Sequence, residues 1–179
     1  MTVAVPKTLI DGYNLLFQSQ LVGKGRGRQW LPAARQRLVQ LLHTGLSPQI
    51  LQTTHLVFDA PSVGPAPEPE RHSTGLQVVY AVNYSEADDL LEEIIRQHPT
   101  PKQLTVVSSD QRIRRCAQAR RAVSLDSEAF LEQLEQGTFA LSQPASKAGS
   151  ESSADLPTTL EPEHLSEDEI AYWLKEFGA

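Results

Sequence analysis

The sequence predicts an α/β protein, a three-layer α/β/α sandwich with a mostly parallel sheet. Two observations predict this fold. Short apolar runs rich in β-branched residues alternate with stretches of helical periodicity, and the clearest helix pattern lies between two such runs. When strands and helices alternate along a chain, each helix crosses over the sheet and joins two parallel strands.

The apolar runs predict five strands: 8–10, 55–60, 76–82, 104–110 and 122–125. The helical patterns predict four helices: 31–45, 85–98, 111–121 and 127–137. In the second of these helices, Ser85 is expected to cap the N-terminus, acids fill the first turn, and Leu91 and Ile95 belong to the apolar face. Residues 61–75 are rich in proline and are expected to form a flexible connection.

The chain is expected to divide into three segments. Residues 1–140 form the folded domain, residues 141–163 form a disordered linker rich in Ser, Ala and Pro, and residues 164–179 form a short acidic amphipathic helix. Such a helix is marginal alone in water, so it should dock on the body, on a second copy or on another macromolecule.

Composition limits the cellular setting. No run of eighteen apolar residues exists, and the N-terminus lacks the pattern of a signal peptide. The single cysteine, Cys116, rules out an internal disulfide and fits a reducing compartment. We therefore expect a cytoplasmic protein without a membrane partner or a disulfide-linked partner, and a monomer is the favoured state.

Charge is segregated along the chain. Residues 141–179 contain eight acids and two lysines, whereas residues 1–140 contain fourteen acids and fourteen bases. Within the body, residues 12–58 contain no acid and five bases: Lys24, Arg26, Arg28, Arg35 and Arg37. A basic patch of this kind predicts a polyanion partner. The alternative is an ordinary solvated surface.

Carboxylates follow the predicted strands. Asp11, Asp59 and Asp110 each stand at a strand end, and Asp88 lies in the first turn of helix 85–98. Because the carboxyl ends of parallel strands meet at one edge of the sheet, these four acids are expected to converge there. Any one of them could instead be a turn residue or a helix cap.

Four converging carboxylates need a cation or a proton among them, because like charges at short range repel strongly. The five histidines show no metal-ligand spacing, so an all-oxygen site predicts Mg²⁺ or Mn²⁺. A hard cation beside a basic patch suits phosphodiester hydrolysis. Asn14 could hold the attacking water or a phosphate, or it could simply form a local cap.

Further polar residues surround Asp110. Ser108 and Ser109 either hydrogen-bond to the acids or merely end the strand. The arginines that follow would extend the phosphate-binding surface: Arg112, Arg114, Arg115, Arg120 and Arg121. Arg120 and Arg121 are explained as well by the dipole at the end of their helix.

Four ordered motifs, "LIDGYNLL", "LVFDA", "SEADDLLEEII" and "TVVSSDQRIR", resemble the NYN branch of the PIN-like nucleases. More narrowly, they resemble the YacP-like family, to which ribosome-associated mRNA endonucleases of bacteria belong. The resemblance covers about residues 6–137 and implies a PIN-like sandwich, a Mg²⁺- or Mn²⁺-dependent acidic site and cleavage of RNA, with mRNA as substrate and the ribosome as a partner.

By motif, the resemblance places Asp11, Asp88 and Asp110 in the metal site, with Asp59 as a fourth ligand, and it matches Asn14 to the asparagine of the first motif. Many PIN nucleases also carry an acid on the helix after the first strand. Residues 12–58 have none, so we expect one well-held ion and a second that binds with substrate.

Three functions follow from these patterns. The first is a metal-dependent endoribonuclease that hydrolyses single-stranded RNA. The second is a non-catalytic RNA or ribosome adaptor that kept the nuclease fold, and the third is a phosphatase or nucleotide hydrolase. The segment "GKGRGR" lacks the spacing of a phosphate-binding P-loop, which weighs against the third.

Overall fold

A computed structural model describes residues 5–21, 30–61 and 67–141. Its sheet has six strands in the order β3-β4-β2-β1-β5-β6. Their bounds are β1 Thr8–Asp11, β2 Thr54–Phe58, β3 Glu70–Arg71, β4 Gln77–Tyr80, β5 Thr105–Val107 and β6 Val123–Leu125. All neighbouring pairs are parallel except β3 and β4, so the mostly parallel sheet predicted from the sequence is confirmed.

Strand β1 lies between β2 and β5, and its end therefore borders both neighbours. Asp11 pairs in register with Val57 on β2, and Ile10 pairs with Val107 on β5. The residues that follow Val57 and Val107 thus surround Asp11 at the carboxyl edge of the sheet. This topology gathers polar residues that are about a hundred positions apart in the sequence.

Helices cover both faces of the sheet. Their bounds are α1 Gly12–Gln18, α2 Trp30–Gly45, α3 Pro48–Leu51, α4 Ala87–Gln97, α5 Gln111–Ala119 and α6 Ser127–Glu135. Leu38 of α2 and Phe130 of α6 belong to one buried cluster, whereas Leu91 of α4 and Ile113 of α5 belong to another. Two separate apolar layers make this the predicted α/β/α sandwich.

The structure corrects several element bounds. β2 ends at Phe58 rather than at residue 60, and the predicted cap Ser85 lies outside α4, whose capping position is Glu86 without a side-chain hydrogen bond. The short elements α1, α3 and β3 were not predicted, since runs of two to seven residues show little periodicity. β3 lies within residues 61–75, which the sequence predicted to be a flexible connection.

Some predictions fall on other parts of the chain. The linker 141–163, apart from its first residue, and the helix 164–179 lie outside the described residues, as do Lys24, Arg26 and Arg28. The three-segment division therefore stays a prediction. Across the described ranges, none of the helices combines the length and the apolar character needed to cross a bilayer.

Candidate active site

Asp11 ends β1 and also begins α1. Its Oδ1 accepts a hydrogen bond of 3.1 Å from the backbone N–H of Asn14, which caps the first turn of the helix. Its Oδ2 accepts a bond of 2.9 Å from the hydroxyl of Ser108, the residue after β5. The side chain is only 6% exposed, so both neighbouring strands and the helix hold this carboxylate in one orientation.

The environment of Asp11 disfavours its ionised form. Burial raises the pKa of this carboxyl from 3.8 to about 7, although the hydrogen bonds from Asn14 and Ser108 act in the opposite direction. The negative charges of Asp88 and Asp59 contribute to this rise. Asp11 is thus a buried carboxyl with a pKa of about 7 and two more acids close by. A bound cation would stabilise its ionised form.

Asp88 is the second residue of α4 and points its charge toward the same site. The pKa of Asp88 is raised to about 6, chiefly by burial and next by the charge of Asp110. The charge of Arg112 acts in the opposite direction. Glu86 and Asp59 also raise this pKa. Asp88 has no hydrogen bond or ion pair to any other described residue, so both of its oxygens are available to a ligand.

Asp59 and Asp110 have structural partners as well as a place near the site. Oδ1 of Asp59 accepts a hydrogen bond from the backbone N–H of Ala87 and so caps α4 from the end of β2. Oδ1 of Asp110 accepts bonds of 2.6 Å from the N–H of Arg112 and 3.2 Å from that of Ile113. In each of these acids, one carboxylate oxygen therefore accepts hydrogen bonds from the N-terminus of a helix.

Asn14 connects three elements around the site through its side-chain oxygen. Its Oδ1 accepts a hydrogen bond of 2.8 Å from the N–H of Ser109 and one of 2.7 Å from the hydroxyl of Ser127. These bonds join α1 to the loop after β5 and to the start of α6. With this oxygen occupied by two donors, the amide NH₂ of Asn14 is the side-chain group that could meet a water or a phosphate, and this role stays a prediction.

The predicted RNA-binding arginines have different surroundings. Arg112 forms ion pairs with Asp89 at 2.6 Å, Glu92 at 2.8 Å and Glu86 at 3.9 Å, and the hydrogen bonds to Asp89 and Glu92 raise its pKa. Its guanidinium therefore has three acidic partners within the protein, and its contact with RNA stays a prediction.

Arg114 lies 3.6 Å from Asp126, and Arg115 donates to the side chain of Gln111 at 3.1 Å. Arg35 instead lies over two aromatic rings on the other flank of the acids, 5.9 Å from the ring centre of Phe58 and 5.8 Å from that of Tyr80. Their RNA contacts stay predictions.

The acids can be compared with the needs of a metal ion. Among the described residues, no group of three or more His, Cys, Asp or Glu side chains is arranged to hold a metal. A four-carboxylate cage is therefore not preformed. However, Mg²⁺ keeps several waters and commonly binds through one or two carboxylates together with substrate phosphates. Asp11 and Asp88 offer such an all-oxygen pair, and their raised pKa values mean that a nearby cation would favour their ionised forms.

Sequence reasoning missed several residues of the site. Ser127 is 113 positions from its partner Asn14, and no local pattern signals such a contact. Gly12 is needed because a Cβ there would overlap the ring of Phe58 and would lie 2.6 Å from the carbonyl oxygen of Val57. Tyr80 ends β4, so the reasoning applied to acids at strand ends could have found it.

Comparison with solved structures shows the fold. Two crystal structures of Rae1 (YacP) from Bacillus subtilis are similar, one of them a tryptophan-to-leucine mutant. The mutant is 19% identical with a TM-score of 0.54, covering 73% of this chain and 75% of that chain. The other is 20% identical with a TM-score of 0.53, covering 76% and 75%. No curated protein matches the sequence.

The sheet order, the layered helices and the acidic edge define a PIN-like α/β nuclease fold of the NYN type. The model of the YacP-like NYN domain matches residues 8–172. The chain therefore belongs to the YacP-like NYN domain family, as its motifs indicated, and this membership supports a nuclease of the ribonuclease type.

Proposed function

We propose that this protein is a metal-dependent endoribonuclease that hydrolyses phosphodiester bonds of single-stranded RNA. The observation that carries the proposal is the pair Asp11 and Asp88, which come from distant parts of the chain: burial raises the pKa of both carboxyls, and the charge of Asp88 also raises that of Asp11. Family membership supplies the reaction class, and the carboxylate chemistry supports Mg²⁺ or Mn²⁺ as the cofactor.

The residues would divide the work. When bound, the cation would lower the pKa of a water and offset charge on the phosphoryl oxygens. Asp11 is fixed by Asn14 and Ser108, so it would hold the cation in a constant position. Asp88 has both oxygens available, and it would complete the pair. Asp59 and Asp110 would act through the field of their charges and through their free oxygens.

Cleavage of a labelled single-stranded RNA tests the proposal. Asp11→Asn and Asp88→Asn should each lower the Mn²⁺-dependent rate by more than about 100-fold, since loss of even an outer partner of a metal ligand costs about 10- to 100-fold. Asp89→Asn is the matched control, because Asp89 is the next residue of α4 and pairs with Arg112. Chelation by EDTA should stop cutting. Undiminished cutting in both site variants would reject the assignment.

The same assay separates the alternatives. An adaptor would bind RNA and leave it intact with Mn²⁺ present, and a nucleotide hydrolase would release inorganic phosphate from mononucleotides. Four acids beside a polyanion would weaken a pure binder, and this favours catalysis.

The family resemblance alone supports a proposal for the natural substrate, the partner and the cellular compartment. We propose mRNA as the substrate, the ribosome as a partner and the cytoplasm as the compartment. Co-sedimentation with ribosomes at low and high salt tests the partner, and recovery only in the free fraction at both salt concentrations would contradict it.

A further inference from the structure

Three aromatic rings lie side by side next to the acids, at the ends of β2 and β4 and on α1. The ring of Phe58 stacks on that of Tyr80 with centres 6.2 Å apart, and it forms an edge-type contact with the ring of Tyr13, with centres 5.0 Å apart. Phe58 is fully buried, whereas Tyr13 and Tyr80 are each partly exposed. These three rings and Arg35 together form an aromatic platform.

Arg35 brings a positive charge to this platform. Its guanidinium lies within 6 Å of the ring centres of Phe58 and Tyr80, which is the range of a cation–π contact. Within the described ranges, no Asp or Glu forms an ion pair with Arg35. The guanidinium of Arg35 therefore lies against the rings, and a carboxylate is nearby, since Oε1 of Glu70 accepts a hydrogen bond of 3.2 Å from the hydroxyl of Tyr80.

The platform is continuous with the acidic site. Burial raises the pKa of the Tyr13 hydroxyl, the charge of Arg35 lowers it and the charge of Asp59 raises it, so both charges lie near this ring. Phe58 also immediately precedes Asp59 in the chain, and its ring touches Gly12, the residue after Asp11. A strand of RNA whose phosphate reached the acids would therefore pass its neighbouring nucleotide over these rings.

We infer that the aromatic platform is a nucleotide subsite, where Tyr80 stacks against a base of single-stranded RNA and Arg35 binds the adjoining phosphate. Bases of single strands commonly stack on aromatic rings and on guanidinium planes. Unlike a patch of charge alone, this arrangement recognises the base itself. The inference rests on the proposed function, since it places the substrate of that site.

Binding without catalysis tests the subsite. We would measure the affinity of the full chain, in EDTA, for a labelled single-stranded RNA and for an abasic oligomer of equal length and charge. The wild type should prefer the RNA about tenfold, the scale of one base–aromatic contact. Tyr80→Leu should remove this preference and Tyr80→Phe should keep it, because the stacking ring is retained.

Arg35 has a control on its own helix. Arg37 is two residues further on and donates to the backbone oxygen of Leu21 at 3.4 Å. Arg35→Ala should weaken binding of both oligomers more than Arg37→Ala, since only Arg35 lies on the rings. Thermal unfolding would verify that each variant is folded, and if Tyr80→Leu is not, Arg35→Ala decides the test.

The outcomes separate this inference from the proposed nuclease function. If Tyr80→Leu and Tyr80→Phe prefer RNA equally, or Arg35→Ala equals Arg37→Ala, the subsite is wrong even when Asp11→Asn abolishes cutting. If the base preference depends on the ring but no RNA is ever cut, the subsite holds and the nuclease assignment fails.

Discussion

The most informative single residue is Asp11, because the structure gives it two opposing influences. It is buried at the centre of the sheet edge, yet two hydrogen bonds favour its ionised form. Burial prevails, and the pKa of the carboxyl rises from 3.8 to about 7. The folded protein therefore binds a proton at Asp11 more tightly than the unfolded chain does.

This difference predicts how stability depends on pH. The contribution of the protonated carboxyl is fully present below the unfolded pKa and is lost as the pH rises through about 7. In EDTA at about pH 8, Asp11→Asn should therefore raise the free energy of unfolding, by an amount on the order of 4 kcal/mol at most. Urea unfolding should show this gain shrink toward about pH 4. A gain that is independent of pH would contradict the assignment.

At the scale of elements, Asp88 lies in α4 and Asp110 caps the N-terminus of α5, so the separation of these two helices sets the separation of the two acids. The buried acid Glu92 connects the two helices. Glu92 lies one turn after Asp88 and accepts a hydrogen bond of 2.8 Å from the Nε of Arg112 on α5. It also forms an ion pair with Arg96. The charged bridge thus ties the two helices together just below the acids.

Breaking this bridge should affect both stability and activity. We expect Glu92→Ala to lower the free energy of unfolding by about 1–3 kcal/mol, because Arg112 and Arg96 lose a charged partner. RNA cleavage should fall because Asp88 and Asp110 are held less firmly, and Glu92→Gln, which still accepts from Arg112, should recover part of it. Glu93→Ala is the control, since the Glu93 carboxylate accepts hydrogen bonds from Tyr84 and Gln97 and from no other side chain in the part of the chain that the structure describes. Urea unfolding and initial cleavage rates measure both effects, and equal losses in the two alanine variants would contradict this role.

The elements also show what the sequence could and could not predict. The five longer strands and four helices were predictable because each has an apolar period of its own, and parallel topology then implied that Asp11 and Asp110 share an edge. The double role of Asp59 was not predictable, because capping of α4 from β2 depends on how the loop before Ala87 folds. For the same reason, the sequence showed the charge of Arg112 but not the three acids that surround it.

At the scale of the whole molecule, the fold concentrates repulsion in one place. Sheet order puts β1 between β2 and β5, so folding itself brings acids of separate motifs together. A fold with this cost at its site gains stability from any ligand that offsets the charge, because a ligand that binds only the native state shifts the unfolding equilibrium. Stability and cofactor binding should therefore be linked.

This linkage gives a prediction that needs no RNA. Mn²⁺ should raise the unfolding temperature of the full chain, since a metal at a hundred-fold excess over its Kd adds about 2.7 kcal/mol. The shift should be large at about pH 8 and small at about pH 5, because Asp11 and Asp88, with pKa values of about 7 and about 6, must lose their protons before they bind a cation.

The variants then locate the ion. Asp88→Asn should lose the Mn²⁺ shift, because one half of the carboxylate pair can no longer carry charge. Asp89→Asn should keep it, because Asp89 is the adjacent residue and its carboxylate pairs with Arg112. The unfolding temperature of the wild type and of both variants is measured with and without Mn²⁺, with circular dichroism as the signal. An equal shift in Asp88→Asn and wild type would place the ion elsewhere, and the chemistry proposed for this edge of the sheet would then lose its basis.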